Sequence, residues 1–170
     1  MADLTPTDRL QPCLLARLTN DEPGPSGGNR DRRFVSLSRY REEVKQHLEW
    51  LLNSRARAER ERFDEFPLAS RSVLNYGIRD LCGLTASGVS PEEIEREIRE
   101  AIRIFEPRIA CHSVSVRAVG DGEGDGVHNN CLYIEIEGEL WAQPVPESLL
   151  VRTEVDLETG RVQVQGRANG

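Results

Sequence analysis

The first candidates for chemistry are three acidic residues in a glycine-rich stretch. Asp121, Glu123 and Asp125, followed by Gly126, match the start of a calcium-binding loop, in which oxygens at alternate positions coordinate the ion. The complete loop also needs a bidentate glutamate at its twelfth position, which here is Leu132. The sequence therefore favours a glycine-rich hairpin tip over a metal site, and we expect no metal and no cofactor.

A pair of carboxylates could instead cleave a glycosidic bond. Glu106 could be matched with Glu135, Glu137 or Asp156, but no spacing signature singles out such a pair. Acidic residues at alternating strand positions are also typical of a solvated sheet face. A peptidoglycan-cleaving, lysozyme-like glycosidase therefore stays as the alternative function, and we expect that the protein is not an enzyme.

Other catalytic and metal-binding patterns are missing from the sequence. His47, His112 and His128 lack the H-x-x-x-H and H-E-x-x-H spacings of zinc sites. No nucleophile elbow, Walker loop or dinucleotide-binding glycine fingerprint occurs. We accordingly expect no small-molecule substrate.

The segment Glu106-Pro107-Arg108 is the most informative charged feature. It places a carboxylate and a guanidinium on either side of a proline, where an amphipathic helix gives way to strands. One interpretation is a simple helix stop with an exposed ion pair, worth about 0–1 kcal/mol. The other is a rigid docking point, where both charges meet partner groups and truncation costs about 2–5 kcal/mol.

Two amphipathic helices must position this segment. The first is predicted to begin after Ser38 as its N-cap, and the second after Ser90, with Pro91 at the first helical position. Helical spacing gives each one apolar face, formed by Tyr40, Val44, Leu48, Leu51 and Leu52 in the first and by Ile94, Ile98, Ala101, Ile102 and Phe105 in the second. A left-handed Gly77 is predicted near the end of a short element between them.

Beyond Pro107 the apolar period changes from 3.6 to 2, which indicates strands. Alternation is clear at 114–117, 132–137, 151–155 and 161–164. Helices followed by antiparallel strands predict an α+β fold, with N-terminal helices packed on a C-terminal antiparallel β-sheet. We predict a single α+β domain over 35–165 and a short tail over 166–170.

The N-terminal part is predicted to be a separate arm. Leu14, Leu15 and Leu18 recur at helical spacing in a segment too short to be a stable helix alone. We expect residues 1–19 to dock on a partner or on the core, and the Gly- and Pro-rich residues 20–34 to form a flexible linker.

Charge and composition exclude several functions. The 170 residues carry a net charge of −7, and residues 109–170 alone hold 4 basic and 10 acidic side chains, which argues against nucleic-acid binding. No apolar run is long enough to span a membrane, so we expect no membrane insertion. The four cysteines lack disulfide or metal spacing, which indicates free thiols in a reducing cytoplasm.

Five motifs in order resemble a known family. They start at Tyr40-Arg41-Glu42, Ser72-Val73-Leu74-Asn75-Tyr76-Gly77, Phe105-Glu106-Pro107-Arg108-Ile109, Leu140-Trp141-Ala142 and Arg152-Thr153-Glu154. Together they resemble TssE of the bacterial type VI secretion system, a relative of the baseplate wedge proteins of contractile phages whose older naming ties it to lysozyme. The resemblance implies a non-enzymatic, structural baseplate component at the cytoplasmic face of the inner membrane.

The resemblance also implies partners and interaction residues. It implies contact with the wedge subunits TssF and TssG, with TssK nearby, and it implies strands on which the sheath proteins TssB and TssC start to polymerise. Glu106, Pro107 and Arg108 match the family motif associated with wedge contact. We expect the hairpin 149–164 with Arg152 and Glu154 to template the sheath and Leu14, Leu15 and Leu18 to form a tether, while Trp141 is expected in the core, with an interface as the alternative.

Overall fold

The computed structural model describes residues 10–18, 35–56, 65–83, 90–119, 127–128, 130–142 and 146–166. Its α-helices are α1 (Leu14–Leu18), α2 (Leu37–Asn53), α3 (Pro67–Ser70) and α4 (Pro91–Phe105), with a 3-10 turn at Val73–Asn75. Its strands are β1 (Ser115–Val119), β2 (Val127–His128), β3 (Cys131–Leu140), β4 (Glu147–Asp156) and β5 (Val162–Gly166). The helices precede the strands, as the change of apolar period predicts.

The strands form one antiparallel sheet in the order β1-β3-β4-β5, and β2 pairs with the start of β3. The register sets Val116 opposite Ile136, Ile136 opposite Val151, and Val155 opposite Val162. These pairs lie on one face of the sheet, and all are buried. The predicted α+β class is confirmed.

The core lies between this face and the two long helices. Helix α4 packs against β1, α2 packs against β5, and the two helices contact each other. Every predicted apolar position of α2 is buried, and so are those of α4 except Phe105, which is half-buried. Burying each such aliphatic side chain stabilises the fold by roughly 1.5–3 kcal/mol.

The helix starts differ from the prediction in detail. Helix α2 begins at Leu37, two residues before the predicted start, because the Ser36 hydroxyl accepts from the Arg39 N–H at 3.3 Å. Ser90 does precede α4, but its hydroxyl donates to the Glu92 carboxylate at 2.6 Å instead of capping the helix. The Ser90 hydroxyl is thus bonded to a side chain of the first turn, and it accepts from no backbone N–H of α4.

Gly77 has the positive φ predicted for it, at 124°. Its segment passes beside the end of α2, where the Ile78 N–H donates to the Ser54 carbonyl at 3.0 Å. A Cβ at Gly77 would lie 2.2 Å from that Ser54 oxygen. Only glycine satisfies both the dihedral angle and the close approach.

Some predicted segments lie outside the described residues. They are residues 1–9 and 19 of the docking segment, the linker over 20–34, the acidic loop at 121–126 and residues 167–170 of the tail. At the C-terminus, β5 runs to Gly166, one residue beyond the predicted domain end. All four cysteines are described, and all are free thiols.

Candidate interaction surfaces

The Glu106-Pro107-Arg108 turn is fixed between α4 and β3. Helix α4 ends when the Glu106 N–H donates to the Ile102 carbonyl at 2.9 Å, and the Ile109 N–H then closes the turn on the Glu106 carbonyl at 3.1 Å. The Arg108 carbonyl accepts from the Trp141 N–H at 2.7 Å, just past the end of β3. Backbone hydrogen bonds on both sides therefore make this turn rigid.

Ile109 seats the turn on the sheet. Its side chain is buried over Gly138 of β3, where a Cβ would approach the Ile109 Cγ2 methyl to 2.6 Å. Glycine at this strand position thus allows the close packing of turn on strand.

The two charges of the turn bind each other. The Arg108 Nε donates to Glu106 Oε1 and its Nη2 to Oε2, both at 2.6 Å, in a bidentate pair. Glu106 is only 4% exposed, and the Arg108 side chain is 17% exposed. Burial disfavours the charged guanidinium, but hydrogen bonding and Coulomb attraction to Glu106 prevail and raise the pKa of Arg108.

His47 and Tyr40 of α2 complete the surroundings of Arg108. The guanidinium carbon lies 5.9 Å from the centre of the Tyr40 ring, a cation–π distance, and Nη2 lies 2.7 Å from His47 Nδ1. Because Arg108 can only donate, Nδ1 must accept and the His47 proton resides on Nε2. Burial, and then the nearby Arg108, lower the pKa of His47, which keeps the imidazole neutral.

The same histidine holds the N-terminal segment. His47 Nε2 lies 3.5 Å from the Cys13 sulfur, and the Cys13 N–H donates to the Glu43 carboxylate at 3.1 Å. A chain of polar contacts therefore runs from Glu106 through Arg108 and His47 to Cys13. Sequence reasoning missed this link, because it joins residues that lie far apart in the chain.

These contacts change the interpretation of the turn. The simple alternative, an exposed ion pair, is wrong, because Glu106 is buried and both of its oxygens accept from Arg108. Of the three motif residues, Pro107 is the exposed one. A partner would therefore meet a preformed turn, whose shape the ion pair maintains.

The expectation that Trp141 belongs to the core is wrong. The residue is 65% exposed, next to the turn that its N–H joins. Leu140 is buried at the end of β3, and strand alternation turns the following side chain to the opposite face. Trp141 and Pro107 thus lie in segments that the Trp141–Arg108 hydrogen bond holds together.

The three leucines of the predicted tether are not part of the hydrophobic core. Leu14, Leu15 and Leu18 on α1 are 68%, 44% and 74% exposed, and α1 buries no residue. The segment is anchored at its start, where the Leu10 carbonyl accepts from the Val35 N–H at 2.8 Å and Leu10 packs against the core. The structure therefore presents an anchored segment with exposed leucines.

Arg152 and Glu154 lie inside the sheet and not at its edge. Both belong to β4, which pairs with β3 on one side and β5 on the other. Their side chains are half-buried, with Arg152 above the Tyr133 ring at 5.2 Å and Glu154 accepting from the Tyr133 hydroxyl at 3.4 Å. Of the predicted hairpin 149–164, only the β5 arm lies at a sheet edge.

The opposite edge, β1, is covered by side chains of α4. The Ala118 N–H donates to Glu95 Oε1 at 2.8 Å, and the Val116 carbonyl accepts from Arg99 Nη2 at 3.1 Å. These are backbone groups that face away from β3. Helix α4 thus occupies the positions at which another strand would pair.

Within the described part of the chain, the β5 edge is covered at one residue. The Asn53 side chain, at the end of α2, donates to the Val162 carbonyl at 2.8 Å and accepts from the Val162 N–H at 3.0 Å. Since outward backbone groups recur at every second residue, those of Val164 and Gly166 face the same way. Sequence reasoning gave Asn53 no role, because its partner Val162 lies 109 residues further along the chain.

A comparison with protein-family models identifies the fold's relatives. The model described as baseplate wedge protein gp25 matches residues 38–145, more than half of the chain. The chain belongs to the gp25-like baseplate wedge family. The match runs from α2 to just beyond β3 and includes the Glu106-Pro107-Arg108 turn. No curated protein and no solved structure matches the chain significantly.

Membership in the gp25-like family supports a structural role in a phage-like baseplate. It confirms the resemblance found in the sequence motifs at the level of the family. Within the described ranges, no three or more His, Cys, Asp or Glu side chains cluster as a metal site, and no helix is long and apolar enough to cross a membrane.

Proposed function

We propose that this protein is a non-enzymatic, cytoplasmic component of a type VI secretion system baseplate. It joins the wedge subunits TssF and TssG, with TssK nearby, to the contractile sheath, and it helps the sheath proteins TssB and TssC to start polymerising. Membership in the baseplate wedge family supports the structural role. The observation that carries the sheath contact is the difference between the two sheet edges.

Strand addition needs backbone groups that no other residue occupies. Glu95 and Arg99 occupy those of β1, whereas Val164 and Gly166 at the edge of β5 direct theirs away from β4. A strand of the first sheath ring would therefore extend the sheet at β5, where main-chain hydrogen bonds provide affinity.

Val164→Pro tests this contact. Proline at 164 removes the outward N–H but no bond to β4, since proline is tolerated at the open side of an edge strand. We expect V164P to fold and to lose sheath assembly in cells that carry a fluorescently labelled sheath protein. The matched control, V164T, keeps the N–H and should assemble sheaths at the wild-type level. Normal sheaths in cells with stably folded V164P would refute the contact.

The wedge contact is assigned to the other exposed features. Pro107 and Trp141, together with Leu14 and Leu18 of α1, offer apolar surface around the rigid turn and the N-terminal segment. We expect Leu14→Asp with Leu18→Asp to abolish co-purification with a TssF–TssG complex. Leu68→Asp is the control, since Leu68 on α3 is even more exposed, at 86%. Equal retention of the complex by both variants would exclude α1 from the wedge contact.

A further inference from the structure

Along the edge of β5, backbone groups that are already bonded to a side chain are followed by backbone groups that are not. The side-chain amide of Asn53 takes up both backbone groups of Val162, as a residue of a neighbouring strand would do. Two residues later, no described residue accepts from the Val164 N–H or donates to the Val164 carbonyl at that edge. The available part of the edge therefore begins at Val164 and continues to Gly166.

A cleft of about 760 Å³ opens beside this part of the edge. Its walls are α2 and the N-terminal segment. The lining combines apolar side chains, Val164, Trp50 and Leu15, with several charged and polar side chains of α2. Trp50 is 42% exposed there, and the Val164 side chain is half-buried against the core. The cleft thus offers both apolar and charged contacts on the helix side of any strand added to β5.

We propose that Asn53 is a stop residue that fixes the register of the partner strand on β5. The inference rests on the proposed sheath contact. The occupant is an extended segment of another protein that exchanges hydrogen bonds with Val164 and Gly166 and must end or turn away at Val162. Its residue opposite Val164 is apolar, because cross-strand neighbours share one face and Val164 is half-buried against the core on that face.

Register needs such a device because strand pairing can slip. Outward groups recur every two residues, so a slip by two residues along β5 would preserve the alternation of side chains and cost little. An occupied Val162 excludes that alternative by removing the donor and acceptor it would use. Asn53 is therefore a positioning residue, which acts on register and not on chemistry.

Amide hydrogen exchange tests the stop in the free protein. In the ¹⁵N-labelled full-length chain, we expect the Val162 amide to exchange roughly tenfold more slowly than that of Val164, since one net hydrogen bond corresponds to about that factor. In Asn53→Ala, the Val162 amide should exchange as fast as Val164. Equal exchange rates for the two amides in the wild-type protein would refute the role of Asn53 as a stop residue, whether or not N53A folds.

The assembled state tests the register. With purified TssB–TssC added, we expect protection of Val164 and Gly166 in the wild type and protection that extends to Val162 in N53A. If N53A shows no such extension while Val164 is protected, Asn53 only anchors α2 and the register role is wrong. If Val164 gains no protection in either protein, the sheath contact fails while the free-protein result stands. Concentration-dependent protection of Val164 without TssB–TssC would show that the edge binds a second copy of the chain, and it would refute the proposed sheath partner.

Discussion

Removing the Glu106 carboxylate should lower the free energy of unfolding. In Glu106→Ala, the Arg108 guanidinium keeps its contacts with His47 and Tyr40 but loses both charge-assisted hydrogen bonds. Breaking a buried ion pair by removing one partner costs about 3–5 kcal/mol. Because the Arg108 side chain is 17% exposed and can partly regain water, we expect the lower end, about 3 kcal/mol.

Urea unfolding of the purified protein, followed by circular dichroism, measures this cost. For a chain of this size, about 3 kcal/mol corresponds to a melting temperature lower by roughly 6–12 °C. Glu106→Gln is the matched control: it keeps the side-chain length and one acceptor, so it should lose about half as much. The double variant E106A/R108A should be more stable than the sum of the two single effects predicts, by about 0.5–3 kcal/mol, because the charges no longer lack partners.

A loss below about 1 kcal/mol in E106A would refute this reasoning, since that is the range of a solvent-exposed pair. The result also decides how cell experiments on the motif are interpreted. If E106A destabilises the fold by the expected amount, a loss of sheath assembly in that variant reports on the turn's integrity. Substitutions of the exposed Pro107 or Trp141 then become the informative tests of wedge contact.

Three further predictions concern the neighbourhood of this turn and the sheet edges. His47→Gln should make the free energy of unfolding depend less on pH on the acid side. The folded state holds the pKa of His47 below the usual 6.5, so the wild-type protein loses stability as pH drops below that value. Parallel stability–pH curves for the two proteins would contradict this. Gly138→Ala should cost about 1–3 kcal/mol in urea unfolding through overlap with Ile109, and adding Ile109→Ala should relieve that overlap. Glu95→Ala with Arg99→Ala should uncover the β1 backbone and cause concentration-dependent self-association in light scattering, and a variant that stays monomeric like the wild type would show that α4 does not guard this edge.

The sequence predicted those parts of the fold that depend on local periodicity. The apolar stripe of α2 and the alternation of β3 are short-range patterns, and the burial of Leu48 and Ile136 follows from them. The exposure of Trp141 could also have been derived. Counting inward positions from Leu132 in steps of two reaches Leu140, so the next side chain must face outward. The expectation of a core tryptophan relied instead on average burial, which strand parity overrides.

Other features could not be derived because they join distant parts of the chain. The Arg108–His47 contact spans 61 residues, and the Asn53–Val162 contact spans 109. No local pattern shows which helix residue will reach which strand residue, since that depends on how α2 packs against β5. For the same reason, the sequence left open whether the Glu106–Arg108 pair was exposed, and it could not separate β5 from β4 within the hairpin.

The difference between the two sheet edges is consistent with the proposed role, in which the protein starts a polymer without forming one itself. If both edges were open, β1 of one copy could pair with β5 of the next, and the chain would aggregate with itself. If both were closed, no partner strand could add. Side chains of α4 cover β1, whereas among the described residues Asn53 covers β5 at Val162 alone. The proposed partner strand thus has one edge to pair with and one residue at which to start. Such a sheet is capped on one side and available on the other, which is what a template for a single partner strand requires.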